Sequence, residues 1–178
     1  MLLVHEFRKL VQALSAEQLR SQVGPFILIQ RPAAPVLRQV ATQLGASRTG
    51  GMSTRNRLVE EILAMIRGFD FLAVCLLPPV GEARQITAGR AAGCDLIVDE
   101  PSVSKRHAIV RWDAAQGGCF VRDLGSTNGT FVGAKELGRD EERRLEDGDV
   151  VSFGDAQFMY FLTESLHAHL LGAGLAGR

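Results

Sequence analysis

The sequence predicts an α+β chain: a small N-terminal helical bundle over residues 1–70, an all-β sandwich over 71–163, and a short helix or flexible tail over 164–178. Three observations predict it. Before Asp70 the apolar residues recur at helical spacing. After it they fall into short runs of strand length, and Gly, Pro, Asn and Asp turn signals separate those runs with no helical stretch between them. An apolar fraction of 46% belongs to a globular chain, not a disordered one.

In the first seventy residues, Leu3, Phe7, Leu10 and Leu14 step by four, three and four, which places them on one helical stripe. Ser15-Ala16-Glu17-Gln18 reads as a capping box that opens a second helix, and Gly24-Pro25 ends it. Phe26-Ile27-Leu28-Ile29 is apolar at every position, so periodicity alone leaves it open as strand or helix. Val36, Leu37, Val40, Ala41 and Leu44 line another helix with Gly45 as its C-cap. Leu58, Val59, Ile62, Leu63 and Ile66 give an apolar face to a last one, which Ser53 can cap.

The later part begins with Phe71–Leu77, an apolar run stopped by Pro78-Pro79. Strand-like segments follow at Gln85–Thr87, Asp95–Val98, His107–Trp112, Cys119–Arg122, Asp149–Phe153 and Gln157–Phe161. Gly93, Pro101, Gly117-Gly118, Asn128-Gly129, Asp147-Gly148 and Gly154 separate them, as in a sandwich of short strands. The tail from Leu166 contains Gly172, Gly174 and Gly177, poor residues for a helix.

Charge narrows the partners. Residues 1–70 carry 9 Lys/Arg against 5 Asp/Glu, and residues 71–178 carry 11 against 15. Neither excess implies a nucleic acid or a membrane as partner. Cys75, Cys94 and Cys119 have no paired spacing and read as small apolar residues of a reducing compartment, not as a disulfide framework or zinc site. Glu6, Arg8 and Lys9 interrupt the start, which has no signal-peptide core, and no run reaches the ~20 apolar residues of a membrane span. The expectation is a soluble, cytoplasmic protein. His167 and His169 read as a solvated tail and not as metal ligands, and neither a metal nor a cofactor is expected.

Four motifs occur in order in the β part: Gly89-Arg90, then Ser104-Lys105-Arg106-His107, then Asp123-Leu124-Gly125-Ser126-Thr127-Asn128-Gly129-Thr130-Phe131, then Leu145-Glu146-Asp147-Gly148-Asp149. Each alone is a common loop. In this order and spacing they resemble the signature of forkhead-associated (FHA) domains, over residues 71–163. One stretch departs from that pattern: Gly133-Ala134-Lys135 stands where many members have Asn-Gly, in a hairpin away from the phosphate-reading groups.

The resemblance implies an adaptor that binds phosphothreonine peptides and is not an enzyme. It implies phosphate contacts from Arg90, Ser104 and Thr127, with help from Lys105 or Arg106, and a grip on the peptide main chain by Asn128. Gly89, His107 and Gly129 would support the loops. The chemistry agrees with this, because a phosphothreonine brings nearly two negative charges and three acceptor oxygens. A planar Arg fork and loop hydroxyls suit it. Ser104, His107 and Asp123 also suggest a Ser-His-Asp triad, but no GxSxG elbow accompanies them.

Residues 1–70 match no recognised family and read as a docking or oligomerisation region for a second protein. Arg48–Thr54 lacks the Lys-Ser/Thr ending of a nucleotide-binding loop and reads as a linker. Thr49 and Thr54 within it are candidates for phosphorylation and self-capture. The rival to the adaptor is a phospho-independent scaffold subunit of a larger assembly such as a secretion system.

Overall fold

Short apolar runs punctuated by turns build the two β-sheets. The computed structural model describes residues 2–31, 73–76 and 85–172. In chain order these form β1 (Leu2–Leu3), α1 (Val4–Ala13), α2 (Ala16–Val23), β2 (Phe26–Gln30), β3 (Ala73–Leu76), β4 (Gln85–Gly89), β5 (Leu96–Ile97) and β6 (Ala108–Asp113). Then come β7 (Gly118–Asp123), β8 (Thr130–Val132), β9 (Lys135–Glu136), β10 (Glu142–Leu145), β11 (Val150–Phe153), β12 (Ala156–Leu162) and α3 (Thr163–Leu170). The helices expected at Val36–Leu44 and Leu58–Ile66, and the stretch Arg48–Thr54, lie outside the described residues.

One sheet runs β1-β3-β2-β12-β11-β8-β9 and the other β10-β7-β6-β4-β5. Their strands pair antiparallel except β4 with β5. Strand alternation sends Ile86, Ala88, Val110, Val121 and Leu145 from one sheet against Leu28, Val151, Phe153, Phe158 and Tyr160 from the other. Each large apolar side chain buried there contributes about 1.5–3 kcal/mol.

The run left open as strand or helix is β2, and the sheet accounts for its composition. It pairs with β12 on one side and β3 on the other. Phe26 and Leu28 face the inter-sheet core, while Ile27 and Ile29, equally buried, lie on the opposite face, where α1, α2 and α3 pack. A strand covered on both faces shows no alternation. This corrects the boundary expected near Asp70, because residues 26–30 are part of the sandwich and not of a separate helical region.

The capping box at α2 forms as expected: Ser15 N donates to Gln18 Oε1 at 2.9 Å and Gln18 N donates to Ser15 Oγ at 3.2 Å. The first helix differs in detail. Leu3 pairs in β1, and the buried stripe of α1 is Phe7 and Val11, with Leu10 and Leu14 only partly covered. The tail forms α3, whose start is held from elsewhere. Asp147, in the β10–β11 turn, accepts from Leu162 N at 2.7 Å and from Ser165 Oγ at 2.6 Å. Thr163 Oγ1 donates to Gly24 O at 2.7 Å, and His167 Nε2 lies 2.9 Å from Leu14 O, so α3 is tied to the ends of α1 and α2.

Candidate functional site

The site starts where β4 ends. Gly89 is followed by a loop zipped to the β5–β6 loop: Arg90 N donates to Ser104 O at 3.0 Å, Ala91 N to Lys105 O at 3.0 Å, and His107 N to Ala88 O at 2.9 Å. A Cβ at Gly89 would run into the Lys105 carbonyl oxygen and come within 3.0 Å of Arg106 Cα, so this approach requires glycine. Beneath it the buried Cys94 donates its Sγ proton to the same carbonyl at 3.2 Å. The exposed Arg90 side chain uses Nε on Val103 O at 3.2 Å, one of its five donors.

His107 is fully buried and holds two loops at once. Its Nδ1 accepts from Ser104 N at 3.0 Å, and its Nε2 lies 3.0 Å from Gly129 O. An acceptor at Nδ1 and a donor at Nε2 together define a neutral imidazole. Burial lowers its pKa, and this outweighs the Gly129 carbonyl and the Asp123 charge, which act in the opposite sense.

Asp123 organises the loop after β7. Its Oδ2 accepts from Gly125 N at 2.6 Å and Ser126 N at 3.0 Å, and its Oδ1 from Ser126 Oγ at 2.6 Å and Thr130 Oγ1 at 2.7 Å. Burial alone would raise the carboxyl's pKa, but the hydrogen bonds overcome that and lower it. Gly125 and Gly129, at φ +75° and +77°, supply the left-handed positions of the turn.

This scaffold brings the expected residues together. Thr127 N donates to Ser104 Oγ at 3.0 Å, and the two hydroxyl oxygens are 3.3 Å apart. Asn128 Nδ2 donates to Ser102 O at 2.8 Å, and Ser102 Oγ accepts from Asp155 N at 2.9 Å. Lys105 and Arg106 are exposed on the loop between Ser104 and His107. Thus Arg90, Ser104, Thr127 and Asn128 line one edge, with His107 and Gly129 bracing it from behind. The edge is basic and rich in donors, as an anion requires.

The triad geometry is not formed. Both nitrogens of His107 are occupied by backbone groups, and the Asp123 oxygens by Asp123's own turn, so neither serves Ser104 Oγ. Sequence reasoning gave no structural role to Asp123, Ser102, Ser126 or Thr130. An Asp followed two and three residues later by Gly and Ser signals such a turn, whereas nothing local marks Ser102.

Comparison with known proteins agrees with these loops. The FHA domain family model matches residues 86–154. The oxoglutarate dehydrogenase inhibitor of Corynebacterium diphtheriae is 32% identical over 128 residues, covering 71% of this chain and 82% of that one. The protein phosphatase 1 regulatory inhibitor subunit PPP1R8 homolog of Arabidopsis thaliana is 36% identical over 85 residues, covering 48% of this chain. This chain spans only 23% of that relative's length and 11% of Kanadaptin's from Homo sapiens. A solved structure from a functional analysis of phosphothreonine-dependent FHA domain interactions is 26% identical, with a TM-score of 0.42, and covers 53% of this chain and 88% of that one. With its signature loops assembled at one end of a β-sandwich, the chain belongs to the FHA domain family.

Proposed function

We propose that this protein is a cytoplasmic adaptor that binds phosphothreonine peptides in serine/threonine kinase signalling. The observation that carries this reading is the contact of Ser104 with Thr127 beside Arg90, an edge of hydroxyl and guanidinium donors with Asn128 next to it. In this reading Arg90 forks onto the phosphate and Ser104 and Thr127 donate hydroxyl bonds. Lys105 or Arg106 adds charge, and Asn128 holds the peptide main chain. Gly89, His107 and Gly129 keep the loops in place. The occupied His107 ring supports a binding role over a catalytic one.

The test is calorimetry with a degenerate phosphothreonine peptide library and its unphosphorylated twin. Only the phosphorylated library is expected to bind. Arg90→Ala is expected to lose about 2–5 kcal/mol, roughly 30-fold to several-thousand-fold, with the melting temperature unchanged. A loss under about threefold would remove Arg90 from the site. A second reading, direct binding to an unphosphorylated partner protein, draws on the relative whose name is that of an enzyme inhibitor. Equal binding of both libraries would favour it.

A further inference from the structure

The signature loops close one end of the sandwich, where Asp155, just before β12, sits on Ser102. At the other end of β12 the sheets are open. The β6–β7 and β10–β11 turns there leave a cleft of about 330 Å³ beside the last residues of the strand. Ligand pockets run from ~300 to ~1,000 Å³, so this one suits a small molecule. Tyr160 lines it from the core side, with its ring on Phe26 and only 1% of the residue exposed. Among the described residues no group hydrogen-bonds the Tyr160 hydroxyl, so its donor is left to the cleft. A tyrosine so deep usually has a hydrogen-bond partner. Burial pushes the phenol's pKa up, and the hydroxyl therefore holds its proton and donates.

Charge of both signs lines the same cleft. Arg144, on β10, lays its guanidinium across Gly118: a Cβ there would come within 2.9 Å of Nε, and glycine makes the room. Among the described residues its one side-chain hydrogen bond is long, from Nη2 to Gln116 O at 3.4 Å, so most of its five donors remain for a ligand. The turn that follows supplies the other sign. Glu146 is exposed, and half-buried Asp147 is fixed in place by Leu162 N and Ser165 Oγ. Both Asp147 and Arg144 stand close enough for their charges to act on the Tyr160 hydroxyl. Leu145 and Leu162 add apolar wall.

We propose that this cleft is a second binding site, for a small zwitterion with an apolar body, the pattern of an apolar α-amino acid. Its carboxylate takes the Tyr160 hydroxyl and the Arg144 guanidinium. Its ammonium faces Glu146 and Asp147, and its side chain lies on Leu145 and Leu162. A phosphate or a dicarboxylate would meet two carboxylates along with the one guanidinium and be repelled. The cleft therefore takes a different class of ligand from the basic edge at the opposite end of the molecule.

The test is titration of the full chain with three probes: L-phenylalanine, 3-phenylpropanoate and phenethylammonium. Trp112, the only tryptophan of the chain, stacks on the Phe26 ring that also packs on Tyr160, and its fluorescence reports occupancy, with calorimetry alongside. L-Phenylalanine should bind saturably and about two- to five-fold tighter than either fragment, the scale of one ion pair near the surface. Tyr160→Phe should weaken it about three- to ten-fold, as for one lost hydrogen bond. The melting temperature should not fall, because the hydroxyl serves no protein group. Arg144→Gln should weaken L-phenylalanine and 3-phenylpropanoate but not phenethylammonium. Absence of saturable L-phenylalanine binding overturns the proposal. So does a fragment that binds as tightly as L-phenylalanine, or an affinity that Tyr160→Phe leaves in place.

Discussion

His107 links the site to the stability of the molecule. The folded state keeps the imidazole neutral because the ring is buried, so its folded pKa lies below the ~6.5 of an unfolded histidine. As pH falls below about 6.5 the unfolded chain takes up the proton first, and the contribution from His107 is lost. Urea denaturation between pH 7.5 and 5 should show stability declining below about 6.5. His107→Ala, which leaves Ser104 N and Gly129 O without the ring, should be about 1–3 kcal/mol less stable at pH 7.5 and decline less over that window. An equal pH slope in the two proteins would mean that the ring titrates normally. Asp123 loses its contribution only in a lower window, beneath the ordinary 3.8 of its carboxyl. The site edge was legible at this scale because Arg90, Ser104, Thr127 and Asn128 occur in a spaced signature. Asp123 was not read as its organiser, because its role lies in four bonds to groups that sequence does not show meeting.

Elements were legible in proportion to how their burial patterned them. β6, β7, β11 and β12 put apolar residues into the core and were read within a residue or two of their ends. β9 is two exposed residues, Lys135 and Glu136, and β10 is an edge strand with only Leu145 buried, so both looked like loop. β2 failed for the opposite reason, being buried on both faces. Its position has a sharp consequence for dissection of the chain. A fragment of residues 71–178 lacks the strand that lies between β3 and β12, and it uncovers Tyr160 and Trp112, whose rings pack on Phe26. That fragment should show no cooperative unfolding transition, or should aggregate, while the full chain melts in one step. A folded, monomeric fragment with native-like stability would show β2 to be dispensable.

Across the whole molecule, β12 separates two working regions. Asp155, just before it, touches the Ser102 loop, and Leu162, at its end, donates its N–H to Asp147. Seven strand residues span about 23 Å. Asp147→Ala should therefore lower stability by about 1 kcal/mol, through loss of its bonds to Leu162 N and Ser165 Oγ, and leave phosphopeptide affinity unchanged. Arg90→Ala should do the reverse, and the double variant should equal the sum within about 0.5 kcal/mol in both measurements. A larger deviation would reveal coupling along the strand. The placement of β2 also bears on how the chain is made. Phe26–Ile29 is translated before both its neighbours, β3 at residue 73 and β12 at residue 156. At ~5–20 residues per second, roughly 6–25 s separate its synthesis from that of β12. The sheet β10-β7-β6-β4-β5 draws only on residues 85–145 and can close first, so folding finishes by pairing a segment translated before that sheet with one translated after it.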